Sequence, residues 1–287
     1  IAEARVLLLG TYRPEDILPG PNQAPHPLQE VLRRLSREPS FREIRLGPLS
    51  PPDVEILAQG TLNAEALQGD LLDLLVREAE GNPFYLLEML RFLQEQGFLE
   101  QRRGAWRLGC PLGEVSIPQT VADLVMRRVE RLDPLSRELL DWGAVMGQRV
   151  DPRLLAQVSG MPLMAVMRHL HRVAQDHGLI VADEEAFHFS HAKVQQALYE
   201  AMPPFMRRES HRLLGQALEA RAQAGEKVDI YALARHFAQA GDAPRGYRYS
   251  LLAADQAEVA LAFEEAAGHL RRALDMLDAA PDLAEAP

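Results

Sequence analysis

A chain of 287 residues, 47% hydrophobic and 25% charged, has ordinary globular composition and a length that suits about two domains. Its net charge of −10 opposes general nucleic-acid binding, which rests on neutralising phosphates, and leaves room only for local basic patches. The one cysteine, Cys110, excludes an internal disulfide and a cysteine-rich metal site.

No apolar run is long enough to span a membrane and no signal peptide is visible, so the expected location is cytoplasmic. The chain opens at Ile1 without Met and closes at Pro287 just after a helical pattern, and it reads as a piece of a longer protein. Residues 5–12 are a continuous apolar run closing on Gly10 and Thr11, the pattern of a central parallel strand covered on both faces. It has no second run to pair with, so its partners are expected upstream or absent. Arg13-Pro14 follows at the carboxyl end of that strand, where open α/β sheets bind ligands and where a guanidinium can fork onto a phosphate. The alternative is a surface arginine in a strand–loop junction.

Residues 14–27 are rich in Pro, Asn and Gly and read as a loop. A helix is expected from His26-Pro27-Leu28 through Arg37, then a short edge strand over residues 41–46, where Phe41, Ile44 and Leu46 alternate with polar residues. Ser50 is the expected N-cap of the next helix, and helices are predicted over 53–59, 63–67 and 70–80. Gly81-Asn82-Pro83 ends the last of these and restarts a helix over 83–96, with Phe84, Leu87, Leu90 and Leu93 on one side. Taken by itself this is an ordinary helix–turn–helix corner.

Residues 97–118 break the helical pattern, with a small hairpin or ordered linker expected at 102–108. Helices are predicted over 119–131, from Asp133-Pro134 through Met146, from Asp151-Pro152, and from Met161-Pro162 to His177. After Gly178, residues 179–181 and 187–189 alternate around the acidic turn Asp183-Glu184-Glu185. Helices followed by such a hairpin make a winged-helix pattern, in which Ser190 is expected to cap the next helix. His169, His171, His177 and His188 lack the spacing of a metal site. From Ala192 onward the pattern is helical, with Ala253, Ala254, Ala257, Ala260, Ala266, Ala267 and Ala273 recurring on one face beside Tyr247, Phe263 and Leu270; residues 243–277 resemble one tetratricopeptide unit.

In this order, residues 6–14 (VLLLGTYRP), 45–54 (RLGPLSPPDV), 80–88 (EGNPFYLLE), 187–199 (FHFSHAKVQQALY), 207–211 (RRESH) and 233–240 (LARHFAQA) resemble the STAND-class AAA+ regulatory ATPases, with an Orc-like ATPase domain as in large bacterial transcriptional regulators. The resemblance implies a mainly α fold: a remnant of an α/β AAA+ domain over 1–47, a helical lid over 48–100, a linker over 101–118, a winged helix over 119–200 and TPR-like helical repeats over 201–287. It implies that Arg13 faces the terminal phosphate of ATP or ADP, that Pro83 packs near the adenine with Gly81 and Asn82 shaping the corner, and that His191 turns toward the phosphates. Bland alternatives are an exposed Arg13, a plain helix break and a structural His191.

The sequence departs from the family in one respect. No Gly-x-x-x-x-Gly-Lys-Ser/Thr loop and no strand ending in paired acids is present. The Mg²⁺-holding and phosphate-cradling groups therefore belong to the parent protein, and this chain alone is expected to be non-catalytic. The implied function is a nucleotide-controlled signal-transduction switch in transcriptional or signalling regulation, taking an inducer or partner protein through the repeats and capable of oligomerising on activation. Two alternatives stand beside it. One is a winged-helix regulator that binds DNA through Arg168, His169, His171 and Arg172, against which the acidic wing counts. The other is a helical protein-interaction scaffold with an inert ATPase remnant.

Overall fold

The computed structural model describes residues 7–17, 26–102, 104–111, 118, 120–184 and 186–280. They fall into two compact units, Ile1–Leu49 and Ser50–Pro287.

In the first unit, residues 7–13 are irregular, and Leu7, Leu8 and Leu9 are 89%, 82% and 85% exposed. This corrects the expectation of a covered strand over residues 5–12, of which Arg5 and Val6 lie outside the described residues. A strand needs neighbours to pair its backbone groups and layers to cover its faces, and none is described in this unit. Pro14–Ile17 forms a single 3₁₀ turn. Helix α1 (Pro27–Leu35) starts where the His26 imidazole accepts a hydrogen bond from the Leu28 N–H at 3.2 Å. Residues 41–46 form no strand, and Ile44 and Leu46 stand exposed; alternation without a pairing partner was not enough.

The second unit begins with a capping box. The Ser50 hydroxyl accepts from the Asp53 N–H, and Asp53 accepts in return from the Ser50 N–H, which opens α2 (Pro51–Leu62). Asn63, at φ 49°, ends that helix in a left-handed turn. The helix expected over 63–67 is therefore replaced by the two-residue strand β1 (Ala66–Leu67). Helices α3 (Gly69–Ala79) and α4 (Pro83–Glu95) follow, then the hairpin β2 (Leu99–Arg102) and β3 (Ala105–Leu108). β3 is central, antiparallel to β2 and parallel to β1. Leu71, Leu75, Leu86, Leu90 and Leu93 are fully buried in this layer. α4 is buried around most of its girth, a wider face than the four residues its spacing picked out.

Next come α5 (Val121–Val129), α6 (Pro134–Met146), β4 (Arg149–Val150), α7 (Pro152–Ser159), α8 (Leu163–Arg172) with a π-helical turn Val173–His177, β5 (Ile180–Ala182), β6 (Phe187–Phe189) and α9 (Ala192–Ala201). Asp133 and Asp151 cap α6 and α7, each with proline at the start of the helix, as the sequence indicated. The antiparallel order β4-β6-β5 and the succession α6-β4-α7-α8-β5-β6 are those of a winged helix. Its core joins Val125, Leu139, Leu155, Leu170, Ile180, Phe189 and Leu198.

The chain closes with α10 (Pro204–Gln223), α11 (Ile230–Ala240), α12 (Ala243–Val259) and α13 (Phe263–Ala279), each packed on the next. Ala253, Ala254, Ala257, Ala266 and Ala273 are buried and let these helices approach closely. Gly246 does the same: a Cβ there would stand 3.1 Å from the Met276 sulfur. The fold is mainly α. Among the described residues no helix is long and apolar enough to cross a membrane.

Candidate functional site

The Gly81-Asn82-Pro83 corner is built from two successive left-handed residues, Glu80 at φ 46° and Gly81 at φ 73°. They reverse the chain, and the Asn82 N–H closes the turn onto the Ala79 carbonyl at 2.7 Å. Asn82 then returns to the β region and caps α4: its side-chain oxygen accepts from the Phe84 N–H at 3.0 Å and the Tyr85 N–H at 3.1 Å. Pro83 occupies the first helical position, where a missing N–H costs nothing, and it stands exposed. Tyr85 donates its hydroxyl to the Pro118 carbonyl at 2.7 Å, pinning the head of α4 to the segment that enters α5.

His191 is brought to this corner. The Phe84 ring stacks on the His191 imidazole with centroids 3.9 Å apart and planes 15° from parallel. Two motifs that lie far apart in the sequence, one at the head of α4 and one after the wing, thus share a contact. His191 is itself the N-cap of α9, its Nδ1 accepting from the Lys193 N–H at 3.1 Å. The expectation that Ser190 caps this helix is corrected: its N–H and hydroxyl both reach back to the Leu179 carbonyl, at 3.0 and 3.1 Å. The cap bond has a chemical consequence. An imidazole nitrogen that accepts carries no proton, so His191 is held as the neutral tautomer with its hydrogen on Nε2. That nitrogen is a hydrogen-bond donor.

Arg13 belongs to the first unit, where it stands exposed just before the 3₁₀ turn.

A buried ion pair, which the sequence reasoning missed, backs the corner. Glu88 on α4 and Arg128 on α5 are 4% and 3% exposed. Arg128 donates to the Glu88 carboxylate and, with its other terminal nitrogen, to the His177 carbonyl at the end of the π-helical turn. Burial pulls the Arg128 guanidinium below its ordinary pKa, and Glu88 opposes that shift. Arg91 approaches the other Glu88 oxygen at 3.7 Å, and Arg131 bridges to Glu95 at 2.8 Å. Gly178 makes room for this junction at φ 57°, since a Cβ there would meet the Arg91 guanidinium at 3.2 Å. A signal existed: Glu88 interrupts the apolar run Leu86, Leu87, Met89, Leu90.

On α8, Arg168, His171 and Arg172 are exposed beside a shallow groove of about 540 Å³, together with Met167. His169 is not part of that basic face, because its Nδ1 lies 3.1 Å from the Ser136 hydroxyl at the head of α6. His188 pairs with Asp183 within the wing. Among the described residues no group of three or more His, Cys, Asp or Glu is placed to hold a metal ion.

No protein-family model matches the chain, and no curated protein matches it. Among solved structures, the chain is similar to the crystal structure of a Signal Transduction ATPase with Numerous Domains (STAND) protein with a tetratricopeptide repeat sensor from Pyrococcus horikoshii, at 13% identity and a TM-score of 0.49. The match covers 84% of this chain and 32% of that one, so the chain spans about a third of the length of the protein it matches.

Proposed function

We propose that this chain is the lid, winged-helix and repeat portion of a nucleotide-controlled signal-transduction ATPase, acting as a regulatory switch. The observation that supports it is the Phe84–His191 stack, because it joins the lid corner to a donor at the end of the wing. In this reading Pro83 packs near the adenine of ATP or ADP, with Gly81 and Asn82 holding the corner rigid. The His191 Nε2–H donates to a phosphate oxygen, a bond strengthened by the charge of its acceptor. Arg13 reports the terminal phosphate. ATP or ADP supplies the state signal, and the residues present fit one side of it: a donor fixed by its tautomer and a corner fixed by its caps. The groups that would hold Mg²⁺ and cradle phosphates have no counterpart in this sequence.

The switch follows from differential contact. A nucleotide that bonds to His191 in one state and not in another biases how α4 packs on the winged helix. The Glu88–Arg128 pair would carry that bias from the lid into α5 and the end of the π-helical turn. The helices from α10 onward would take an inducer or partner protein, and oligomerisation on activation belongs to the same proposal. DNA would be reached through another part of the parent protein.

Hydrogen exchange on the full-length protein tests this. Adding ADP is expected to protect the amides of Phe84, Tyr85 and Lys193, whose bonds define the two caps. Protection confined to other segments would overturn the assignment. Specific ATP hydrolysis by the purified chain alone would contradict the division of labour.

A further inference from the structure

A second polar cluster lies where the winged helix meets the first repeat helices, and the proposed nucleotide site makes no use of it. His211 on α10 and His236 on α11 are 3% and 1% exposed, and their Nδ1 atoms are 2.9 Å apart. The His236 Nε2 lies 3.4 Å from an Arg235 terminal nitrogen, and the His211 Nε2 lies 3.1 Å from the Tyr199 hydroxyl.

The hydrogen bonds from Arg235 through His236 and His211 to Tyr199 run in one direction. A guanidinium only donates, so the His236 Nε2 must accept. Neutral His236 then carries its hydrogen on Nδ1 and donates to His211. Neutral His211 in turn carries its hydrogen on Nε2 and donates to the Tyr199 oxygen. Both rings are held neutral, pushed down to about 3 for His236 and about 4 for His211, by burial first and by Arg235 second. The relay therefore ends on Tyr199 with its own O–H still to give.

Tyr199 opens onto a cavity of about 140 Å³ lined by Gln195, Tyr199, His211, Arg235 and Gln239. Arg235 also donates to the Met146 carbonyl at 2.6 Å; burial pulls its pKa down, and the Asp229 carboxylate opposes that shift from beyond ion-pair distance. Its guanidinium lies over Gly147, where a Cβ would stand 3.3 Å from it. Arg207 adds positive charge 5.0 Å above the Tyr199 ring. The carbonyls that end α6 oppose an anion, but those of Ala144 and Met146 are already occupied, by Gln195 at 2.6 Å and by Arg235. The cavity thus gathers donors around Arg235, with no carboxylate among the residues that line it. Its volume is roughly that of four or five waters.

We propose that this cavity binds a small oxyanion of phosphate size, held by the Arg235 guanidinium and the Tyr199 hydroxyl. Its occupant would bond to α9 and α11 at once and so tie the end of the winged helix to the first repeats. The proposal stands whether or not the nucleotide assignment does.

The test is a titration of the whole chain with inorganic phosphate at pH 7, with chloride holding ionic strength constant, followed by NMR of the histidine and tyrosine rings. Saturable shifts of His211, His236 and Tyr199 are expected with a dissociation constant of about 1 mM or below, weakened at least about tenfold in Arg235→Gln. Absence of saturable shifts up to about 50 mM phosphate would overturn the proposal, as would equal shifts with chloride alone. Unchanged affinity in Arg235→Gln would also overturn it. Should that variant fail to fold through loss of the Met146 bond, the wild-type titration against chloride decides by itself.

Discussion

Replacing Arg128 by methionine should cost the second unit more than any surface substitution, because it strands a carboxylate. Glu88 is 4% exposed and Arg128 is its bonded partner. Breaking a buried pair by removing one member costs about 3–5 kcal/mol, chiefly the penalty of the charge left behind. The His177 carbonyl also loses a charged donor, which falls within the same range because the effects are not additive. With a urea slope of about 2 kcal/mol/M, the midpoint should fall by roughly 2 M. The two tryptophans make the assay local: Trp106 lies on β3 beside α3, and Trp142 lies on α6 of the winged helix. Variants retaining one tryptophan each should unfold together in the wild-type background and separately in Arg128→Met. The double replacement Arg128→Met with Glu88→Leu should recover stability to within about 1 kcal/mol, since two apolar groups leave no charge unpaired. A single-variant cost below about 1 kcal/mol, or a double variant no better than the single, would refute the reasoning.

Acid should weaken the junction of α10 and α11. His211 and His236 are held neutral when folded, near pH 4 and pH 3, against 6.5 when unfolded. Their contribution is complete above pH 6.5 and is lost as pH falls, because the unfolded chain takes up protons that the folded chain refuses. By pH 5 the loss should be on the order of 3 kcal/mol, and urea unfolding at pH 7 and pH 5 should lose most of that difference in a His211→Gln, His236→Gln double variant. Asn82→Ala should lower stability by about 1 kcal/mol in thermal unfolding, while Asn82→Asp, which keeps both cap bonds to Phe84 and Tyr85, should not. Gly81→Ala should cost about 1 kcal/mol through its left-handed φ of 73°, measured the same way.

Helix starts were the most legible part of the sequence, because caps are local chemistry. Ser50 with Asp53, Asp133 with Pro134, and Asp151 with Pro152 each write a helix start within a few residues. Strands were less legible, because a strand is a statement about its neighbours. Residues 7–9 have the composition of a buried strand and stand exposed, while Ala66–Leu67 and Arg149–Val150 pair although two residues carry no readable pattern. Of the site, the corner and His191 could each be picked out from local motifs. Their stacking could not, because it depends on Phe84 and the wing meeting in space. The tautomer of His191 was also hidden, since it follows from a cap bond that the sequence assigned to Ser190.

The central claim is that His191 offers its Nε2–H to a nucleotide phosphate. Asparagine is a strong N-cap, so His191→Asn in the full-length protein should keep α9 capped while removing that donor and the stack on Phe84. Equilibrium binding of ADP should weaken by about 10- to 100-fold, the worth of one hydrogen bond to a charged group. ADP affinity within about twofold of wild type, in a variant whose unfolding midpoint is unchanged, would contradict the account.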